Sequence, residues 1–241
     1  MSDDFKLALQ LSKPELKVSW SSYIGQYLLY SLFTFLFIQG FNAQESRFVG
    51  LDLFFLILFV YGPIWSRVKG LQFQQISGNI WASPTLIMGL HLPVKKQVIV
   101  LKSIILYLIG SFPFQLYMLI MLYLISPKVR GIMELDAYVS FVIIWLSFGI
   151  YAGLSALSAD VGSNMKRNSL SFILSLLLIA VIIAFIFFMP FFVTYGVVEW
   201  TIILAKKWSM ASAILSIIFA IIGIHYWKNK MVKLMKNTDY L

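Results

Sequence analysis

The chain has 241 residues, of which 60% are hydrophobic, 17% aromatic and only 12% charged, with a mean hydropathy of +0.86. That balance excludes an ordinary soluble domain, whose charged share is about 25%, and places the chain in a bilayer. The net charge of +9 is spread over loop ends that would face an anionic leaflet, which argues against nucleic acid as a partner, and the absence of cysteine excludes disulfides and thiolate metal sites.

Residues 1–19 read as an interfacial segment without the continuous apolar core of a signal peptide. Phe5, Leu7, Leu9 and Leu11 alternate as in a strand, while Phe5, Ala8 and Leu9 would share one face of a short helix, and the pattern leaves both open. Ser12 and Glu15 have capping-box spacing with Pro14 between them, which predicts a fresh helix near Lys13 that enters the membrane after Trp20.

Apolar runs over about 20–38, 50–65, 103–125, 137–158, 169–190 and 209–227 approach or exceed a crossing of roughly 20 residues, the second being short. Their lengths are helical and period-2 alternation is absent, so the expected fold class is an all-α membrane protein with six transmembrane helices. Placing both termini inside puts 14 of the 19 lysines and arginines on the cytoplasmic face. A single domain spans 1–241. Residues 191–208 follow Pro190, and reading them as a seventh span weakens the charge bias, so they read as a re-entrant or interfacial outer segment.

Within the first span Tyr23, Tyr27, Tyr30, Thr34 and Phe37 recur at helical spacing, a stripe that suits packing or lipid contact and, alternatively, a substrate-facing wall. Gly149 and Gly153, with Ala152 and Ala156, give the fourth span a small face for close helix approach. The connection 66–102 is the only sizeable cytoplasmic feature, and residues 70–90 of it carry no charge. Ser83 as N-cap and Pro84 at the first helical position predict a short helix through Leu90. That helix would show Leu86, Ile87, Met88 and Leu90 to a cytoplasmic partner. It ends at His91 and a corner at Pro93, beside Lys95, Lys96 and Lys102. These lysines fit positive-inside anchoring and, alternatively, orientation of the corner.

Chemistry inside the spans is sparse. Carboxylates fall at span ends, His91 and His225 lie at boundaries, and no Ser-His-carboxylate set or P-loop is present. An enzyme is therefore not expected, and neither is a cofactor held by this chain. Work against a gradient would draw its energy from a partner.

The order Leu92-Pro93-Val94-Lys95-Lys96, then Ile99, Val100 and Lys102, at the start of the third of six spans resembles the ABC-2 type export permeases. So does the arrangement of the whole chain. The sequence departs from that pattern ahead of the Leu-Pro, where Ser83, Pro84 and Thr85 replace a Gly-Thr and no acid is present, so docking would lean on apolar contacts. The resemblance implies a bacterial cytoplasmic membrane, a second permease subunit, identical or a sister chain, and two ATP-binding subunits that hold ATP and Mg. It implies motion entering through Leu86 to Lys102 and an export path between the permeases. Size and aromatic richness are similar to permeases that export amphipathic peptides, including the phenol-soluble modulin exporters. The competing reading is a non-transporting immunity, sensor-associated or scaffold protein.

Overall fold

The computed structural model describes residues 3–42, 49–65, 67–77, 80–161, 163–164, 184 and 195–237. Helix α1 (Asp3–Val18) runs almost without interruption into α2 (Trp20–Asn42). The Ser19 N–H donates to the Glu15 carbonyl at 3.0 Å and the Tyr23 N–H to the Ser19 carbonyl at 3.1 Å, so helical bonding crosses the join. The fresh start expected near Lys13 does not occur. Pro14 lies inside α1, and Ser12 is buried and donates its hydroxyl to the Ala8 carbonyl at 2.8 Å instead of capping a new helix, the local alternative open to a mid-helix serine.

Helix α3 (Val49–Trp65) is followed by a 3-10 turn (Lys69–Leu71), strands β1 (Gln74–Ser77) and β2 (Ile80–Ala82), and the short helix α4 (Pro84–Leu90). Next come α5 (Lys96–Ile125), α6 (Pro127–Ile132), α7 (Leu135–Leu157), a second 3-10 turn (Ser158–Val161) and β3 (Ser163–Asn164). Helices α8 (Val197–Lys207) and α9 (Ser209–Asn237) complete the described chain.

Four of these helices, α2, α5, α7 and α9, are long and apolar enough to cross a membrane, and α3 carries a shorter apolar stretch, Asp52–Ile64. Helix α5, with 30 residues, extends about 45 Å at 1.5 Å per residue, more than the roughly 30 Å hydrocarbon core. The chain is a mostly helical, membrane-embedded protein. The span expected over 169–190 lies, apart from residue 184, outside the described residues.

Beside the helices lies one small antiparallel sheet of short strands, ordered β1-β2-β3, in which Gln74 faces Ala82 and Trp81 faces Ser163. Its strands lie in the chargeless connection and just after α7. The connection thus meets part of its backbone hydrogen bonding by pairing with a segment about 80 residues away rather than by forming helix throughout.

The side chains pack as two cores along the bundle. One holds Phe55, Phe59, Met118, Leu122, Phe141 and Trp145 with Val198 and Ile202 of α8. The other joins Ala82 and Leu86 to Ile99, Leu154 and Leu157, and to Trp227, Met231 and Met235 of α9. The start of α5 and the ends of α7 and α9 therefore share one end of the bundle, the corner end. The end of α5 and the starts of α7 and α8 share the far end. A small satellite core of Ala8, Val98 and Ile105 fastens α1 along the first turns of α5.

Close approach of α5 and α7 rests on the small face expected from Gly149 and Gly153. The Tyr107 hydroxyl donates to the Gly149 carbonyl at 2.9 Å, and a Cβ at Gly153 would overlap that hydroxyl.

Candidate functional site

The corner is built by backbone geometry. Ser83, extended at φ −77 and ψ 131, precedes Pro84 at the first position of α4. The Ser83 carbonyl accepts from the Leu86 N–H at 3.0 Å and the Ile87 N–H at 3.3 Å. Ser83 occupies the expected N-cap position, but its hydroxyl does not cap; it lies 2.9 Å from the Thr85 hydroxyl and donates to the Gly70 carbonyl at 3.4 Å. After His91 the chain turns through Leu92, Pro93 and Val94, and Lys95, extended at φ −64 and ψ 140, opens α5.

The corner residues divide between two faces. Met88 is 70% exposed, and His91, Leu92 and Pro93 are exposed beside it. Leu86 is only 6% exposed and packs into the corner-end core, with Ile87 and Leu90 half-buried against it. The expectation that Leu86 faces a partner is thereby corrected. Gly89 lies against Ile99, so α4 lies on α5 through Leu86 and Gly89 and leaves Met88 outward.

The three lysines each hold a different contact. Lys95 pairs with Asp4 of α1 at 3.2 Å, exposed to solvent. Lys96 donates to the Met235 carbonyl of α9 at 2.9 Å. Lys102 forms a largely buried ion pair with Glu15 of α1. The corner is thus tied to the first and last described helices.

Behind the corner a cavity of about 60 Å³ lies between α1, α2, α4, α5 and the 3-10 turn after α7. Glu15 and Lys102 line it, as does a second ion pair, Arg67 with Asp160. Gln26, whose amide donates to the Gly110 carbonyl at 2.6 Å, and Tyr107 add polar groups to the wall. Burial pushes the Glu15 carboxyl above its ordinary value, and Lys102 pulls it part of the way back. Sequence reasoning missed this site because its partners are far apart along the chain. The available signal was the scarcity of acids among many bases, since each buried acid needs a cation beside it.

The aromatic stripe does not form one wall. Tyr30, Thr34 and Phe37 are buried, with the Tyr30 hydroxyl donating to the Leu58 carbonyl at 3.3 Å and the Phe37 ring tilted against that of Phe55, centroids 4.8 Å apart. Those three are packed inside the bundle. Tyr27 is 47% exposed with its ring 4.5 Å from that of Tyr117, and Tyr23 lines the charged cavity.

At the far end Asp52 is buried and accepts from the Val197 N–H at 2.9 Å and the Val198 N–H at 2.8 Å. Gly196 has no side chain with which to cap α8, and Asp52 supplies the carboxylate from α3, where it also meets the positive end of the helix dipole. A Cβ at Gly196 would overlap that carboxylate. Among the described residues no group of three metal-ligating side chains occurs.

Fold and site together define a membrane-embedded helical protein with a short outward-facing helix and a charged cavity at one end. Comparison with protein-family models, with curated proteins and with solved structures gave no match.

Proposed function

We propose that this chain is the transmembrane subunit of an ATP-driven ABC exporter, with ATP and Mg bound by a separate cytoplasmic subunit present in two copies. The observation that carries the reading is α4: a seven-residue helix with Met88 exposed, seated on α5 and joined to it by the Leu92–Pro93 corner. A push on such a helix passes directly into a membrane-length helix, which is what coupling to a partner's motion requires. The resemblance of that corner to ABC-2 permeases supplies the class of partner.

A six-span arrangement with both termini in the cytoplasm of a bacterial cell is supported by the ends of the described chain. Asn164 pairs with β2 at the corner end, whereas Val197 meets Asp52 at the far end. Those two described segments lie at opposite ends of the bundle. Lys96, Lys102 and the α9 tail with Lys228, Lys230, Lys233 and Lys236 gather at the corner end, as the positive-inside rule asks of a cytoplasmic face. The cargo is an amphipathic peptide, moved between this chain and a second permease, identical or a sister chain.

The test is affinity purification of the full-length chain from its native membrane. An ATP-binding subunit should co-purify, and its hydrolysis should rise on adding the permease. A chain that brings down no ATPase, and stimulates none, acts instead as a non-transporting scaffold or immunity protein.

A further inference from the structure

The charged cavity is neutral as a whole, with Glu15 and Asp160 balancing Lys102 and Arg67. Its pairing is nevertheless incomplete. Glu15 uses one carboxylate oxygen on Lys102 and Arg67 one guanidinium nitrogen on Asp160. Glu15 Oε2 and Arg67 Nη2 are buried without a hydrogen-bond partner among the described residues. An unpaired charged acceptor and an unpaired charged donor on one wall are costly, and each favours a ligand that satisfies it.

The ligand must therefore offer N–H donors to a carboxylate and an anionic acceptor to a guanidinium. A net cation or net anion alone would add an unbalanced charge to a poorly solvated site, whereas a zwitterion adds none. The cavity of about 60 Å³ has room for roughly four to six water-sized groups. That admits an ammonium, its two carbons and the edge of a phosphate, and excludes a peptide or an acyl chain. The cavity also lies where α1 joins the membrane-length helices α2 and α5, lined by Glu15, Tyr23, Gln26 and Lys102.

We propose that this cavity binds a phosphoethanolamine group, with its ammonium donating to Glu15 Oε2 and its phosphate accepting from Arg67 Nη2. The site stands apart from the transport reading and needs no ATPase partner. Its occupant would brace α1 against the Arg67–Asp160 pair and so stiffen the corner from behind.

The experiment uses the full-length chain in detergent, with dioctanoyl lipids carrying ethanolamine, choline or glycerol headgroups, followed by native mass spectrometry. Ethanolamine lipid should bind about tenfold tighter than choline lipid, whose methylated nitrogen offers no N–H, and tighter than glycerol lipid, which has no cation. Glu15→Gln should erase the ethanolamine preference, and Lys69→Ala, an exposed change outside the cavity wall, should keep it. Soluble glycerophosphoethanolamine, a phosphodiester that keeps the zwitterion neutral, would show by displacing the lipid that the free headgroup suffices; failure to displace it would assign the site to lipid. Either result supports the site. Equal binding of the three headgroups to the unaltered chain, or selectivity that survives Glu15→Gln, overturns it, and the first comparison holds whether or not the variant folds.

Discussion

Replacing Asp52 by alanine should release the start of α8 at the far end while leaving the corner end closed. The substitution removes two charge-assisted hydrogen bonds, at 2.9 and 2.8 Å, from the first N–H groups of α8. Bonds to a charged group contribute about 1.5–3 kcal/mol each, and truncation of an N-cap costs about 0.5–2 kcal/mol. The two bonds share one carboxylate and one helix end, so a combined cost of about 2–4 kcal/mol is reasonable. At 1.4 kcal/mol per factor of ten, local opening of α8 should rise roughly 30- to 700-fold. The natural chain has no cysteine, so a single cysteine at Val198, which is 1% exposed, reports that opening by its rate of thiol labelling. A second cysteine at Val232, buried in the corner-end core, serves as the control. A rate at position 198 that rises less than about threefold, or a rise of equal size at 232, would refute the claim that Asp52 holds α8 locally.

Gly153→Ala should cost about 1–3 kcal/mol, because its Cβ overlaps the Tyr107 hydroxyl and forces α5 and α7 apart. The melting temperature would fall by roughly 2–4 °C per kcal/mol, and an unchanged value would show that the two helices have slack there. For Glu15, the folded state holds its proton more tightly than the unfolded state because burial outweighs the help of Lys102. Its contribution to stability is therefore complete below the ordinary value of 4.5 and is lost as pH rises through the raised folded value. Tryptophan-fluorescence melts should show that Glu15→Gln flattens the fall in stability over that window, and identical slopes for the two chains would contradict the assignment.

The long apolar helices were legible because a membrane-length run needs no partner to be recognised: the runs over 20–38, 103–125, 137–158 and 209–227 were each visible as composition and fall within the apolar helices of the structure. The short helix α4 was legible too, through Ser83 and Pro84, since N-terminal signals are local. Its orientation was not. Whether Leu86 or Met88 turns inward depends on the core that Leu86 joins, with Leu154 and Met235 from distant parts of the chain. The same limit hid both cavity ion pairs and the pairing of β2 with β3. Pro14 misled for a different reason, since a capping-box spacing marks a helix start only where the chain is free to begin one, and α1 was already formed and packed through Ala8 against Val98 and Ile105.

The central claim is that α4 passes a partner's ATP-driven motion into α5. Its most direct test is ATP hydrolysis by the co-purified ATP-binding subunit, measured in lipid with the unaltered chain and with Met88→Asp. Met88 is 70% exposed, so the substitution leaves the fold intact, and its carboxylate would be buried unpaired only when a partner closes over it. The account predicts that the unaltered chain stimulates hydrolysis and that Met88→Asp abolishes the stimulation with equal amounts of permease in the membrane. Full stimulation by Met88→Asp would contradict it.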